Sequence, residues 1–117
     1  MDVVVTVPKG LWEEWILEGD LPGEEPQYDS HFWLGGNLPK MQPGERVYIV
    51  AHGKLRGYAP LVEIETRCRL RPSVGCLLRQ GGAQAVTIAE PIRGFQGWRY
   101  RWWRTSDERP FPDWTQP

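Results

Sequence analysis

The chain has 117 residues with 40% apolar and 25% charged side chains and a formal net charge of −1, the profile of one ordinary globular domain too short to divide its core in two. Its 13 glycines and 11 prolines argue against an architecture of long helices and for short elements joined by many turns. No apolar run approaches the ~20 residues that span a bilayer, and MDVVVTVPKG lacks the basic flank and small-residue cleavage site of a signal peptide, so a cytoplasmic location is expected.

Val3, Val4, Val5, Thr6 and Val7 form a β-branched run stopped by Pro8, which predicts a largely buried first strand. A helix is predicted next, over residues 10–20. Leu11 with Trp15 and Trp12 with Ile16 are i, i+4 pairs on one stripe, Glu13, Glu14 and Glu18 lie off it, and Gly19 is a C-terminal stop. Residues 20–45 hold four prolines and four glycines with little periodicity and read as a long connection that bears YDSHFWLGGNLP.

The segment GERVYIVAHGKLRGYAPLVEIE contains two β-rich runs, Arg46–Ala51 and Leu55–Glu65, joined across His52-Gly53-Lys54. A hairpin is expected there, with glycine supplying the turn conformation and a basic tip. Beyond an ambiguous region around residues 67–79, Gly81-Gly82 precedes a further predicted strand over residues 84–92. In all, about five strands and one or two helices are expected, an α+β domain over residues 1–109. Residues 110–117 read as a Pro-rich tail, held, if at all, by Phe111 and Trp114.

The small net charge hides an asymmetry. Residues 1–45 hold nine acids and two lysines, a net of −7, whereas residues 46–109 hold twelve basic residues and five acids, a net of +7. Such a chain can present a basic face to a polyanion, or its two halves can pair with each other inside the fold. Cys68 and Cys76 are separated by seven residues, and with His31 and His52 they match no recognisable zinc spacing. They read as two thiols, with no metal or cofactor expected, although a disulfide could close the loop in an oxidising compartment.

Most of the chemistry is concentrated in GFQGWRYRWWR, residues 94–104, with five aromatic side chains, three arginines and no acid. A strand over residues 98–104 would put Trp98, Tyr100 and Trp102 on one face, towards a core, and Arg99, Arg101 and Trp103 on the other. Guanidinium groups beside an exposed indole suit single-stranded nucleic acid, which offers phosphates and unstacked bases together. All six could equally be structural, with the aromatics in the core and the arginines paired to the acidic first half.

The run Pro43-Gly44-Glu45-Arg46-Val47-Tyr48-Ile49-Val50, followed by Leu55-Arg56-Gly57-Tyr58-Ala59-Pro60-Leu61-Val62, resembles the hairpin that recurs in the PUA-like superfamily, which includes the ASCH and EVE domains. The resemblance implies a small, mixed, partly closed β-barrel with helices at its openings, and binding of RNA or a modified base. Binding would use a cleft between the barrel, the first helix and its linker, which brings His31, Phe32 and Trp33 into play. The ASCH signature G-x-K-x-x-E-x-R is absent, so no catalytic residue is carried over.

The candidate ligand-binding residues are therefore Trp33 and Trp103 for stacking, and Lys54 and Arg56 at the hairpin tip with Arg99 and Arg101 for phosphates. The expected partner is RNA, single-stranded nucleic acid or a modified nucleoside. Two other readings stay open. A small hydrolase of modified nucleosides would need Lys9 and Glu13, or a histidine and a carboxylate, to converge. A protein-interaction module would use the acidic first half.

Overall fold

The computed structural model describes residues 1–13, 30–69, 71–80, 84–114 and 116. Val3–Thr6 (β1), Ser30–Leu34 (β2), Arg46–Ala51 (β3), Lys54–Glu65 (β4), Gly75–Arg79 (β5) and Trp98–Tyr100 (β7) make one mixed sheet in the order β2-β5-β4-β3-β1-β7, and Val86–Thr87 (β6) pairs with Arg109–Pro110 (β8) in a second, two-stranded sheet. The large sheet is curled into a half-barrel. Only β1 and β3 are parallel; every other pairing is antiparallel.

The curl brings the two ends of the sheet together. The chain leaving β2 reaches β7, where Trp98 Nε1 donates to the Asn37 carbonyl at 2.7 Å and the Lys40 amide donates to the Tyr100 hydroxyl at 3.1 Å. The inner face is lined by Val3, Val5, Val47, Ile49, Leu61, Leu77 and Leu34, with Trp12 and Trp114 closing on it. At ~1.5–3 kcal/mol for each fully buried aliphatic side chain, this face is the main source of stability. The outer face is also covered in its middle, because Val4, Tyr48, Val50 and Leu55 lie under Ile88, Ile92 and Trp103.

The β3–β4 hairpin follows the expectation, with strands Arg46–Ala51 and Lys54–Glu65 around a tight turn. Both turn residues have positive φ, His52 at 49° and Gly53 at 74°, which fits the strand twist. Gly57 has a separate task. A Cβ there would run into the Gln84 carbonyl, and it is this close approach that lets Gln84 pair with Tyr58 through hydrogen bonds of 2.8 and 3.0 Å.

Other expectations change. The strand predicted over residues 84–92 shrinks to Val86–Thr87, whose partner is only Arg109–Pro110; Pro110 has no N–H with which to extend a ladder. In place of about five strands, the described residues form six in the large sheet and two short ones beside it. The predicted helix over residues 10–20 falls mostly outside the described residues. Within them, the helical turns with defined bounds are the 3-10 turns Lys9–Leu11 and Thr105–Asp107. Among the described residues no helix is long and apolar enough to cross a membrane. Residues 109–114 pack onto the domain through β8, half-buried Phe111 and buried Trp114.

Candidate nucleic-acid interface

Much of the aromatic and basic segment is turned inward. Glu108, with its side chain 7% exposed, accepts from Arg46 at 3.1 Å, from Trp103 Nε1 at 2.9 Å and from the Tyr48 hydroxyl. Arg46 also donates to the Tyr48 hydroxyl at 3.0 Å, and its guanidinium lies 4.1 Å from the centre of the Tyr58 ring. Burial, reinforced by Glu108, pushes the Tyr48 hydroxyl well above its usual range. The hydrogen bond to Tyr48 and the nearby Glu108 charge raise Arg46. This hub clamps the segment after β7 onto β3.

The structure corrects two of the sequence-predicted ligand residues outright. Trp103 is 8% exposed and packs edge-on against Tyr48, with ring centroids 5.0 Å apart. Trp103 lies on the outer face with Val4 and Tyr48, the side the alternation gives it, and is buried because that face is covered there, whereas Trp102, expected in the core, lies beyond the end of β7 at Tyr100 and is 43% exposed. Arg56 is fully buried instead of sitting at the hairpin tip. Its Nε donates to the Ala51 carbonyl at 2.8 Å and its NH1 to the carbonyls of Trp114, at 2.8 Å, and Gln116, while its guanidinium stands 5.4 Å from the ring centres of both Trp12 and Phe111. Burial lowers its affinity for its proton. Arg56 is a latch for the C-terminal segment and has no surface to offer a phosphate.

Arg101 is half-buried. It forms an ion pair with Asp2 at 3.2 Å and donates to the Trp103 carbonyl, so it anchors the end of β7 to the chain before β1. Three predicted residues remain at the surface. Lys54 is exposed at the turn, 5.9 Å from the Phe111 ring centre. Arg99 is exposed and lies over Phe95, 4.3 Å from its ring centre. Its register partner Val4 belongs to the outer face, so Arg99 points away from the inner core. Trp33 is 53% exposed on β2, with the Arg71 guanidinium 5.5 Å from its ring centre.

Sequence reasoning missed Trp102, Arg71, Arg93 and Arg104. The last three are exposed, and among the described residues none of Arg71, Arg93, Arg99 and Arg104 has a carboxylate partner. Trp102 donates through Nε1 to Glu90 at 3.3 Å and leans edge-on against Trp103, ring centroids 5.0 Å apart. Arg93, Phe95, Arg99, Trp102 and Arg104 thus fall within twelve consecutive residues around β7, Phe95 half-buried and the other four exposed. No family model, curated protein or solved structure matches this chain. The side chains themselves carry the functional reading.

The groups needed for hydrolysis do not assemble among the described side chains. Glu63, one suggested carboxylate, is held by Arg69 at 2.9 Å, and His52, half-buried, packs edge-on against Trp12. Of the other suggested acid/base groups, Glu13 is exposed, and Asp29 and the side chains of Lys9 and His31 lie outside what is described.

Proposed function

We propose that this domain binds single-stranded nucleic acid, RNA foremost, along the outer surface of β7 and the residues flanking it. Arg93, Arg99 and Arg104 contact phosphates, and Trp102 stacks on a base. Trp33 with Arg71 on β2 offers a second stacking platform, and Lys54 extends the basic surface. In this reading the domain is a PUA-like barrel, and it works in the cytoplasm.

One observation carries the proposal: solvent-exposed Arg99 and Trp102 stand three residues apart, on an edge strand and just beyond it, and Arg99 has no carboxylate partner among the described residues. Here Asp2 and Glu108 hold Arg101 and Arg46, and Arg99 is left facing solvent. Stacking on an aromatic side chain contributes ~1–3 kcal/mol per base, and each phosphate contact adds about 0.7 to the log–log salt slope for a single strand.

Titration of tryptophan fluorescence with mixed-sequence single-stranded RNA and DNA, at several salt concentrations, tests it. Trp102→Ala is expected to weaken binding by about 5- to 150-fold with the salt slope retained. Arg99→Ala with Arg104→Ala lowers the slope by about 1.4. Absence of binding by the folded parent protein at low salt, or binding that both variants leave untouched, would refute the proposal.

A further inference from the structure

The corner where β4 passes into β5 gathers three side chains with metal-binding chemistry. Glu65 ends β4, Cys76 is its cross-strand partner on β5, and Cys68 lies in the loop between them. One ligand atom from each, two sulfurs and a carboxylate oxygen, all fall within 4.8 Å of one another. In a tetrahedral site with ligands at about 2.0–2.3 Å, donors stand roughly 3.3–3.8 Å apart, so an entering ion asks for only a small contraction.

The donors are held in place before any ion arrives. Strand pairing fixes Glu65 against Cys76, whose thiol is 3.5 Å from Glu65 Oε1. The loop is tied to itself: the Cys68 amide donates to the Val74 carbonyl at 2.8 Å, and Arg71 and Val74 amides close two inner turns at 3.2 and 3.1 Å. Arg69 holds the other Glu65 oxygen, Oε2, at 2.7 Å and reaches Glu63 at 2.9 Å. Its grip orients the carboxylate so that Oε1 faces the sulfurs, as an outer-shell partner does in metal sites. Both cysteines are fully buried and the Glu65 side chain is only 12% exposed. Apolar packing alone gives no reason to seat a carboxylate beside two buried sulfurs.

We propose that Glu65, Cys68 and Cys76 bind a thiophilic divalent cation, with Zn²⁺ the ion their donor set suits best. Binding breaks two S–H bonds, forms two metal–sulfur bonds and releases both protons to solvent. Two thiolates and a carboxylate around a divalent ion leave one negative charge, which the Arg69 guanidinium offsets. Three protein ligands leave a coordination position for water. The sequence concealed the site because its ligands, Glu65-x2-Cys68-x7-Cys76, match no familiar spacing and the carboxylate arrives through strand pairing. This inference is independent of the proposed nucleic-acid surface.

The test uses the full chain, reduced with a phosphine and stripped by a chelator, titrated first with Co²⁺ and then with Zn²⁺. The expected result is a thiolate-to-cobalt charge-transfer band that saturates at one ion per chain and is abolished by Zn²⁺, with native mass spectrometry recording one bound zinc. Cys68→Ser and Cys76→Ser are expected to remove the band, Glu65→Gln to weaken binding, and Arg69→Ala to weaken it by about 10- to 100-fold, while Glu63→Gln changes little. Glu65→Gln and Arg69→Ala alter partly exposed groups, so they keep the test decisive if a cysteine variant fails to fold. No band from folded, fully reduced protein, or a band that survives in both cysteine variants, would overturn the assignment.

Discussion

Replacement of Glu108 by alanine is expected to be among the most destabilising changes to an acidic residue of this chain. Three donors converge on its carboxylate: Arg46, Tyr48 and Trp103. They do not count equally. The Arg46 side chain is 36% exposed and can return to water, so its share is that of a surface pair, about 0–1 kcal/mol. The Tyr48 hydroxyl and the Trp103 indole are buried, and each would be left as an unsatisfied donor at about 1–3 kcal/mol. The total is about 4 kcal/mol out of the ~5–15 kcal/mol that holds a domain of this size together. With a urea m-value of about 1.5 kcal/mol/M, the unfolding midpoint falls by roughly 2–3 M. Glu108→Gln keeps an acceptor without the charge and is expected to lose about half as much. Urea titrations followed in parallel by tryptophan fluorescence and far-ultraviolet circular dichroism measure both. A Glu108→Ala midpoint within about 0.3 M of the parent, with m unchanged, would refute the view that this hub fastens the C-terminal segment to the sheet.

The neighbouring tryptophans are expected to part company. Trp103→Ala costs about 3–5 kcal/mol because its ring fills the outer core, whereas Trp102→Ala, at an exposed position, costs less than about 1 kcal/mol; thermal unfolding of the two variants decides. Gly57→Ala drives a Cβ into the Gln84 carbonyl, and the expected loss is about 1–3 kcal/mol, with faster hydrogen exchange at the Tyr58 amide. Alkaline stability should depend on Tyr48. Its proton is held more tightly in the folded state, so the unfolded chain binds fewer protons once pH passes about 10. Stability is then lost with rising pH by up to about 1.4 kcal/mol per unit. Urea midpoints across that range should fall less steeply for Tyr48→Phe, and parallel curves would refute the assignment.

The elements legible in the sequence are those whose signal is local. The valine run of β1 and the hairpin around His52-Gly53 combine β-branched residues with a turn only a few positions away, and both stand where the pattern puts them. Arg56 was illegible because both faces of β4 are covered at that point. The cover is Trp114 and Gln116, whose carbonyls accept from a guanidinium 58 and 60 residues earlier in the chain. Trp102 and Trp103 exchanged roles for a related reason. Beyond Tyr100 no strand carries Trp102 towards the inner core, and the outer face that Trp103 keeps is itself covered there, with Glu108 holding its indole. Arg99 was placed correctly at the surface because it lies within the three residues of β7 that do pair.

The position of β1 has a kinetic consequence. It lies between β3 and β7, and its registers pair Val4 with Tyr48 on one side and with Arg99 on the other. The second contact spans 95 residues of a 117-residue chain. Loop closure over that distance must come before the contact is rewarded, and folds rich in such distant pairings cross their barrier in milliseconds to seconds. The hairpin can form early from neighbours in the chain, while Val3, Val4 and Val5 keep one edge unpaired until β7 docks. During that interval the most apolar strand of the protein is a template for another chain, so refolding yield should fall with protein concentration far more steeply than the stability of the finished fold would suggest.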